Sequence, residues 1–67
     1  MKLHINGEEV TVPDEMMNMS DLVSYFNLQE KIIIIEHNHE ILEKDSHHQA
    51  KIQDGDKIEI VHFVGGG

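Results

Sequence analysis

The sequence closes on Gly65-Gly66-Gly67, directly behind the apolar run from Ile58 to Val64. An α-carboxylate at such an end is ionised well below neutral pH and is a weak nucleophile until activated. Attack on the α-phosphorus of ATP would make it an acyl adenylate and release pyrophosphate. That transfer needs Mg²⁺ and cationic groups to stabilise developing charge, and this sequence carries no motif that supplies them. A partner enzyme must. Glycines suit the role because, lacking side chains, they can thread a narrow channel in almost any backbone conformation. Ordering them costs roughly 1–2 kcal/mol per residue, which a docking surface elsewhere on the domain has to offset. Once activated, the carbonyl can accept an amine, a thiol or a persulfide sulfur. Composition does not choose among them.

Other chemistries find less support. The six histidines invite a metal reading. His37 and His39 would face the same way only if a strand ran through both, and Asn38-His39 reads as a turn. His47 and His48 are adjacent and would diverge in any regular structure. Zinc requires three or four convergent ligands with a supporting shell, so surface histidines and no metal site are expected. Ser20, Ser24 and Ser46 lack a nucleophile-elbow context. A chain of this size can hardly enclose a substrate pocket as well as a core. No catalytic residue of its own is expected.

The totals agree with a carrier or interaction role. The 67 residues allow one domain and one modest core, and 39% hydrophobic content argues against disorder. Thirteen acids against five Lys+Arg give a net charge of −8, which disfavours nucleic-acid binding. It suits a positively charged partner surface, although solubility alone also explains it. The chain has no cysteine, which removes disulfides and thiolate chemistry. No leader and no run of the ~20 apolar residues needed to span a bilayer is seen, so a soluble, cytoplasmic protein is expected.

The elements that must position the end are readable from period and punctuation. Leu3 and Ile5, then Val10 and Val12, alternate with polar residues on either side of Asn6-Gly7. That pattern predicts a tight hairpin ended by Pro13. Asn18 and Asp21 form an approximate capping box, with Met17 and Leu22 as a hydrophobic staple. Met19, Leu22, Val23 and Phe26 then mark one buried helical stripe of about two and a half turns. Ile32 to Ile35 reads as a strand covered on both faces or centrally placed. A short strand at Glu40–Leu42, a loop or single helical turn over 43–49, an Asp54-Gly55 turn and a last strand complete the order. A mixed sheet with one helix on one face, an α+β arrangement, buries these apolar faces most simply.

The last strand contains an ambiguity of phase. Ile58 and Ile60 share a face with His62 and Val64, while Val61 and Phe63 point the other way. Either a bulge shifts the alternation and buries Phe63, or Val61 and Phe63 lie on the uncovered side. In the second case an exposed aromatic beside the tail would be a natural docking contact.

The stretch DGDKIEIVHFVGGG, Asp54 to Gly67, closely resembles the end of the thiamin-pathway sulfur carriers, the ThiS family. LHINGEEV and KIIIIEHNHEIL are also similar to that family, so the resemblance spans essentially the whole chain. It implies a ubiquitin-like β-grasp domain over residues 1–64 and a flexible glycine tail over 65–67. The first and last strands would then lie parallel at the centre of the sheet.

The resemblance further implies that Gly67 is adenylated by a ThiF-like adenylyltransferase of the ubiquitin-activating type, using ATP and Mg²⁺ held by that partner. A thiocarboxylate would follow, its sulfur drawn from a cysteine desulfurase persulfide. A ThiG-like thiazole synthase would receive the sulfur for thiazole phosphate. Gly65 and Gly66 would thread the partner site, with Phe63, Val64 and Val61 as partner contacts. The chain would bind no cofactor and be a monomer when free. Readings left beside this one are the small subunit of molybdopterin synthase, a carrier for transfer-RNA thiolation, a modifier conjugated to lysines, and an interaction domain with inert glycines.

Overall fold

The computed structural model describes residues 1–63. Asn6 and Gly7 adopt φ of 51° and 83°, the two positive angles of a type I′ turn, and this lets β1 (Lys2–Ile5) fold directly onto β2 (Glu8–Thr11). Leu3 pairs with Val10 on the face that becomes the core. Val12 donates its N–H to the Met1 carbonyl at 2.8 Å before Pro13 ends the pairing.

The helix α1 (Met19–Tyr25) is set by its two ends. Asn18 Oδ1 accepts from the Asp21 N–H at 2.9 Å, and Asp21 Oδ2 accepts from the Asn18 and Met17 N–H groups. The expected capping box is therefore present. The expected staple is not: Met17 is 71% exposed, whereas Met16 is buried in the core. The Asp21 bond to the Met17 N–H fixes the chain's approach in its place. Asn27, at φ 57°, closes the other end, with Leu28 N–H donating to Val23 O and Asn27 N–H to Ser24 O. This is a Schellman cap with asparagine where glycine is usual. The helix stops two residues short of the predicted length. Phe26 leaves the buried stripe and meets Tyr25 edge-on at 5.0 Å.

Strands β3 (Ile32–His37) and β4 (Glu40–Leu42) join through Asn38 and His39, both at positive φ. A 3-10 turn over Lys44–Ser46 leads toward Gly55, whose φ of 86° reverses the chain into β5 (Lys57–Phe63). The five strands form one sheet in the order β2-β1-β5-β3-β4, with β1 and β5 parallel and every other pair antiparallel. β5 is thus central. The isoleucine run is not: β3 lies second from the edge, and among the described residues one α-helix covers one sheet face.

Beneath that helix Leu3, Met19, Leu22, Ile35 and Ile58 are fully buried, joined by Val12, Met16, Val23 and Ile52. The fold exposes one face of a sheet that still carries apolar residues.

Candidate functional site

The phase of β5 decides what its end presents. Residues 58 to 63 pair one-to-one with residues 37 to 32, from Ile58–His37 through Phe63–Ile32, without a bulge. Strict alternation therefore sends Ile58, Ile60 and His62 to the helix side and Glu59, Val61 and Phe63 to the open side. Their partners follow them: Ile35 and Ile33 inward, Glu36, Ile34 and Ile32 outward. Of the two readings the sequence left open, the uncovered face is correct.

Phe63 is 47% exposed and Val61 52% exposed. With Ile32 and Ile34 across the ladder, they make a contiguous apolar strip at the outgoing end of the central strand. Ile41, paired with Glu36, extends it onto β4. Among the described residues, five of the eight exposed large hydrophobics thus lie on one face, which is a concentration and not scatter. Such patches usually mark a surface that another protein covers. The facing acids Glu36 and Glu59 border the strip. Like charges directly opposite one another disfavour the isolated pair and favour a cationic neighbour.

β5 is held so that its last residues stay extended. Asp56 O accepts from the His4 N–H and Ile58 O from the Asn6 N–H, each at 2.9 Å. Beyond these bonds the Asn6 side chain continues the ladder: Oδ1 accepts from Ile60 N–H at 2.7 Å, and Nδ2 donates to Ile60 O at 3.3 Å. At the start of the strand, Asp56 Oδ2 meets His37 Nε2 at 2.7 Å and the Gln53 N–H at 2.8 Å, while Oδ1 accepts from Asn38 Nδ2. Burial raises the Asp56 carboxyl, but its hydrogen bonds from His37, Gln53 and Asn38, with the charge on His37, outweigh this and leave it below its ordinary value.

The remaining predicted positions divide clearly. Val61 and Phe63 fall on the exposed strip, while Val64, Gly65, Gly66 and Gly67 lie outside the described residues. Among the described residues no group of three or more His, Cys, Asp or Glu could hold a metal ion. No helix among them is long and apolar enough to cross a membrane. The expectation of surface histidines fails at His47, which is 8% exposed, and at His37, whose side chain is mostly covered against Asp56. Adjacent polar residues hid both from periodicity. Ile32, Ile34 and Ile41 belong to the strip and were missed, because an unbroken isoleucine run carries no alternation that marks its outer face.

Comparison with known proteins gives consistent relatives. The model of the ThiS family matches residues 3–67. The chain is 43% identical over 65 residues to the sulfur carrier protein ThiS of Bacillus subtilis, covering 97% of this chain and 98% of that protein. It is 42% identical over 67 residues to a thiazole synthase of Paramagnetospirillum magneticum, spanning 100% of this chain but 20% of the longer protein. The crystal structure of the thiamine biosynthesis protein ThiS from Geobacter metallireducens superposes with a TM-score of 0.82 at 33% identity, over 100% of both chains. The sheet and helix described above are the β-grasp arrangement of those structures.

Proposed function

This chain belongs to the ThiS family of sulfur carriers, and we propose that it carries sulfur for thiazole formation as a thiocarboxylate on Gly67. The family is one of non-catalytic carriers, so the chemistry is performed on this chain by others. In the first step a carboxylate oxygen of Gly67 attacks the α-phosphorus of ATP, and the bond to the β-phosphate breaks as pyrophosphate leaves. A ThiF-like adenylyltransferase supplies the Mg²⁺ and the cationic groups for this step. A desulfurase-derived persulfide then attacks the acyl adenylate and displaces AMP. A second thiol cleaves the resulting acyl disulfide, leaving the thiocarboxylate and an oxidised dithiol. Thiazole synthase takes the sulfur, and an oxygen from water or from the sulfur acceptor replaces it, returning the end to a carboxylate.

The observation that carries this reading is the match to thiazole synthase. A protein of that name contains, within a fifth of its own length, a segment similar to the whole of this chain. Joining two proteins in one polypeptide replaces a bimolecular encounter by a high local concentration, an advantage chiefly where the two must meet. The same relationship favours thiazole formation over the molybdopterin and transfer-RNA readings.

The exposed strip supports the docking half of the proposal. Val61 and Phe63 lie immediately before the reactive end, on a strand tied along its length by His4, Asn6 and β3. A partner that covers Ile32, Ile34, Val61 and Phe63 gains apolar burial that offsets the ordering of Gly65 and Gly66. Val64, the next residue in sequence, is assigned to the same partner contact as part of this proposal.

Transfer can be tested with purified thiazole synthase. The thiocarboxylate form of this chain should lose its sulfur to the synthase in the presence of the remaining thiazole precursors, with thiazole phosphate formed in proportion. Retention of sulfur with thiazole synthase, but loss of it to molybdopterin synthase, would reject the thiazole assignment.

A further inference from the structure

A cavity of about 170 Å³ opens among the end of α1, the start of β3 and the 3-10 turn. Val23, Leu28 and Ile33 give it apolar walls, and Lys31, Lys44 and His47 also line it. Two of the chain's five cationic side chains therefore converge on one small space in a molecule of net charge −8. Among the described residues neither lysine is engaged in a salt bridge. Glu30, Glu43 and Asp45, their acidic neighbours in sequence, are exposed.

His47 makes the cavity more than a dent. It is the one buried polar residue among those described, at 8% exposure. Its ring makes no hydrogen bond to any described residue, yet no fully buried side-chain nitrogen or oxygen lacks a partner. The ring nitrogens are therefore not sealed from solvent, and His47 is one of the residues that line the cavity. Burial, and then the nearby Lys44 charge, push the imidazole's pKa below its ordinary value. A neutral ring keeps one N–H to donate, so the lysines provide charge and His47 a directed hydrogen bond.

We propose that this cavity binds a short aliphatic carboxylate, its alkyl body against Val23, Leu28 and Ile33 and its head group among Lys31, Lys44 and the His47 N–H. The space of about 170 Å³ suits a small molecule of this kind. A bare phosphate fits less well, because its oxygens would face apolar walls without partners. The carboxylate can belong to a free acid or to the C-terminal apolar residue of another protein. The site stands independently of the chemistry assigned to Gly67.

The test is an NMR titration of the full chain, isotopically labelled, with butyrate, butyramide, inorganic phosphate and a tripeptide ending in valine. Butyrate should shift His47, Val23 and Ile33 saturably, while butyramide, of equal shape but neutral, should not. Lys31→Gln and Lys44→Gln, at exposed positions that spare the core, should each weaken butyrate about threefold. A stronger response to the tripeptide assigns the carboxylate to a protein terminus, and a stronger response to butyrate assigns it to a free acid. Equal shifts with butyramide, stronger binding of phosphate, or unchanged affinity in the doubly substituted chain would overturn the proposal.

Discussion

Asn6 bonds both backbone groups of Ile60, accepting its N–H at 2.7 Å and donating to its carbonyl at 3.3 Å. A hairpin-turn residue thereby acts as a substitute peptide group, carrying the parallel β1–β5 ladder past the end of β1. Asn6→Gly should separate this role from the turn itself, since glycine also accepts the φ of 51°. We expect a loss of about 1–2 kcal/mol in urea unfolding, with faster amide exchange at Ile60. Unchanged exchange there would show that the Asn6 side chain does not protect Ile60.

The two faces of β3 should respond very differently to the same change. Ile35 is fully buried and Ile34 is 42% exposed, although they are neighbours in an uninterrupted run. Ile35→Ala should cost about 2–5 kcal/mol, enough to unfold much of a domain this small. Ile34→Ala should cost well under about 1 kcal/mol. Thermal unfolding distinguishes them, and equal losses would mean that both faces are covered.

Much of this architecture was legible in the sequence, and the failures have physical causes. Asn6-Gly7, the Asn18–Asp21 box and the Asn38-His39 turn depend on local backbone chemistry, so they could be read locally. Met17 fits a staple by type and spacing, but which of two adjacent methionines turns inward depends on the bridge of Asn18 to Lys51, a long-range contact. The isoleucine run could not report its own faces. Its position depends on β5 inserting between β1 and β3, which no local pattern encodes. Likewise, the alternation in Ile58–Phe63 stated the right question about Phe63, and only the register with Ile32 answered it.

Acid should destabilise the fold in two windows. The His47 pKa is lowered in the fold, so between its unfolded value near 6.5 and that lower folded value the unfolded chain binds more protons. Stability therefore falls as pH drops through this range. Asp56 is likewise lowered from 3.8, so its contribution is present above that value and lost as pH falls through the folded pKa. Asp56→Asn should flatten the lower window and leave the upper one. Urea midpoints measured from pH 8 to pH 3 test this, and a curve identical to that of the unsubstituted chain would contradict it.

The apolar strip should matter for partners and not for folding. Phe63→Ser and Val61→Ser, at exposed positions, should change the thermal midpoint little. Each should weaken binding to the adenylyltransferase by roughly tenfold, about 1.4 kcal/mol, the range of a real interface contact. Calorimetric titration would read both effects, and full affinity in the double variant would remove this face from the docking account.

Intact-protein mass spectrometry tests the central claim most directly. The chain is incubated with the cognate adenylyltransferase, ATP, Mg²⁺, a cysteine desulfurase, cysteine and a thiol. Replacement of one carboxylate oxygen by sulfur should raise its mass by about 16 Da, with the added mass on the C-terminal fragment. The chain lacking Gly67 should remain folded and gain nothing. No mass gain with a competent partner, or the same gain without Gly67, would contradict the assignment of sulfur to this terminus.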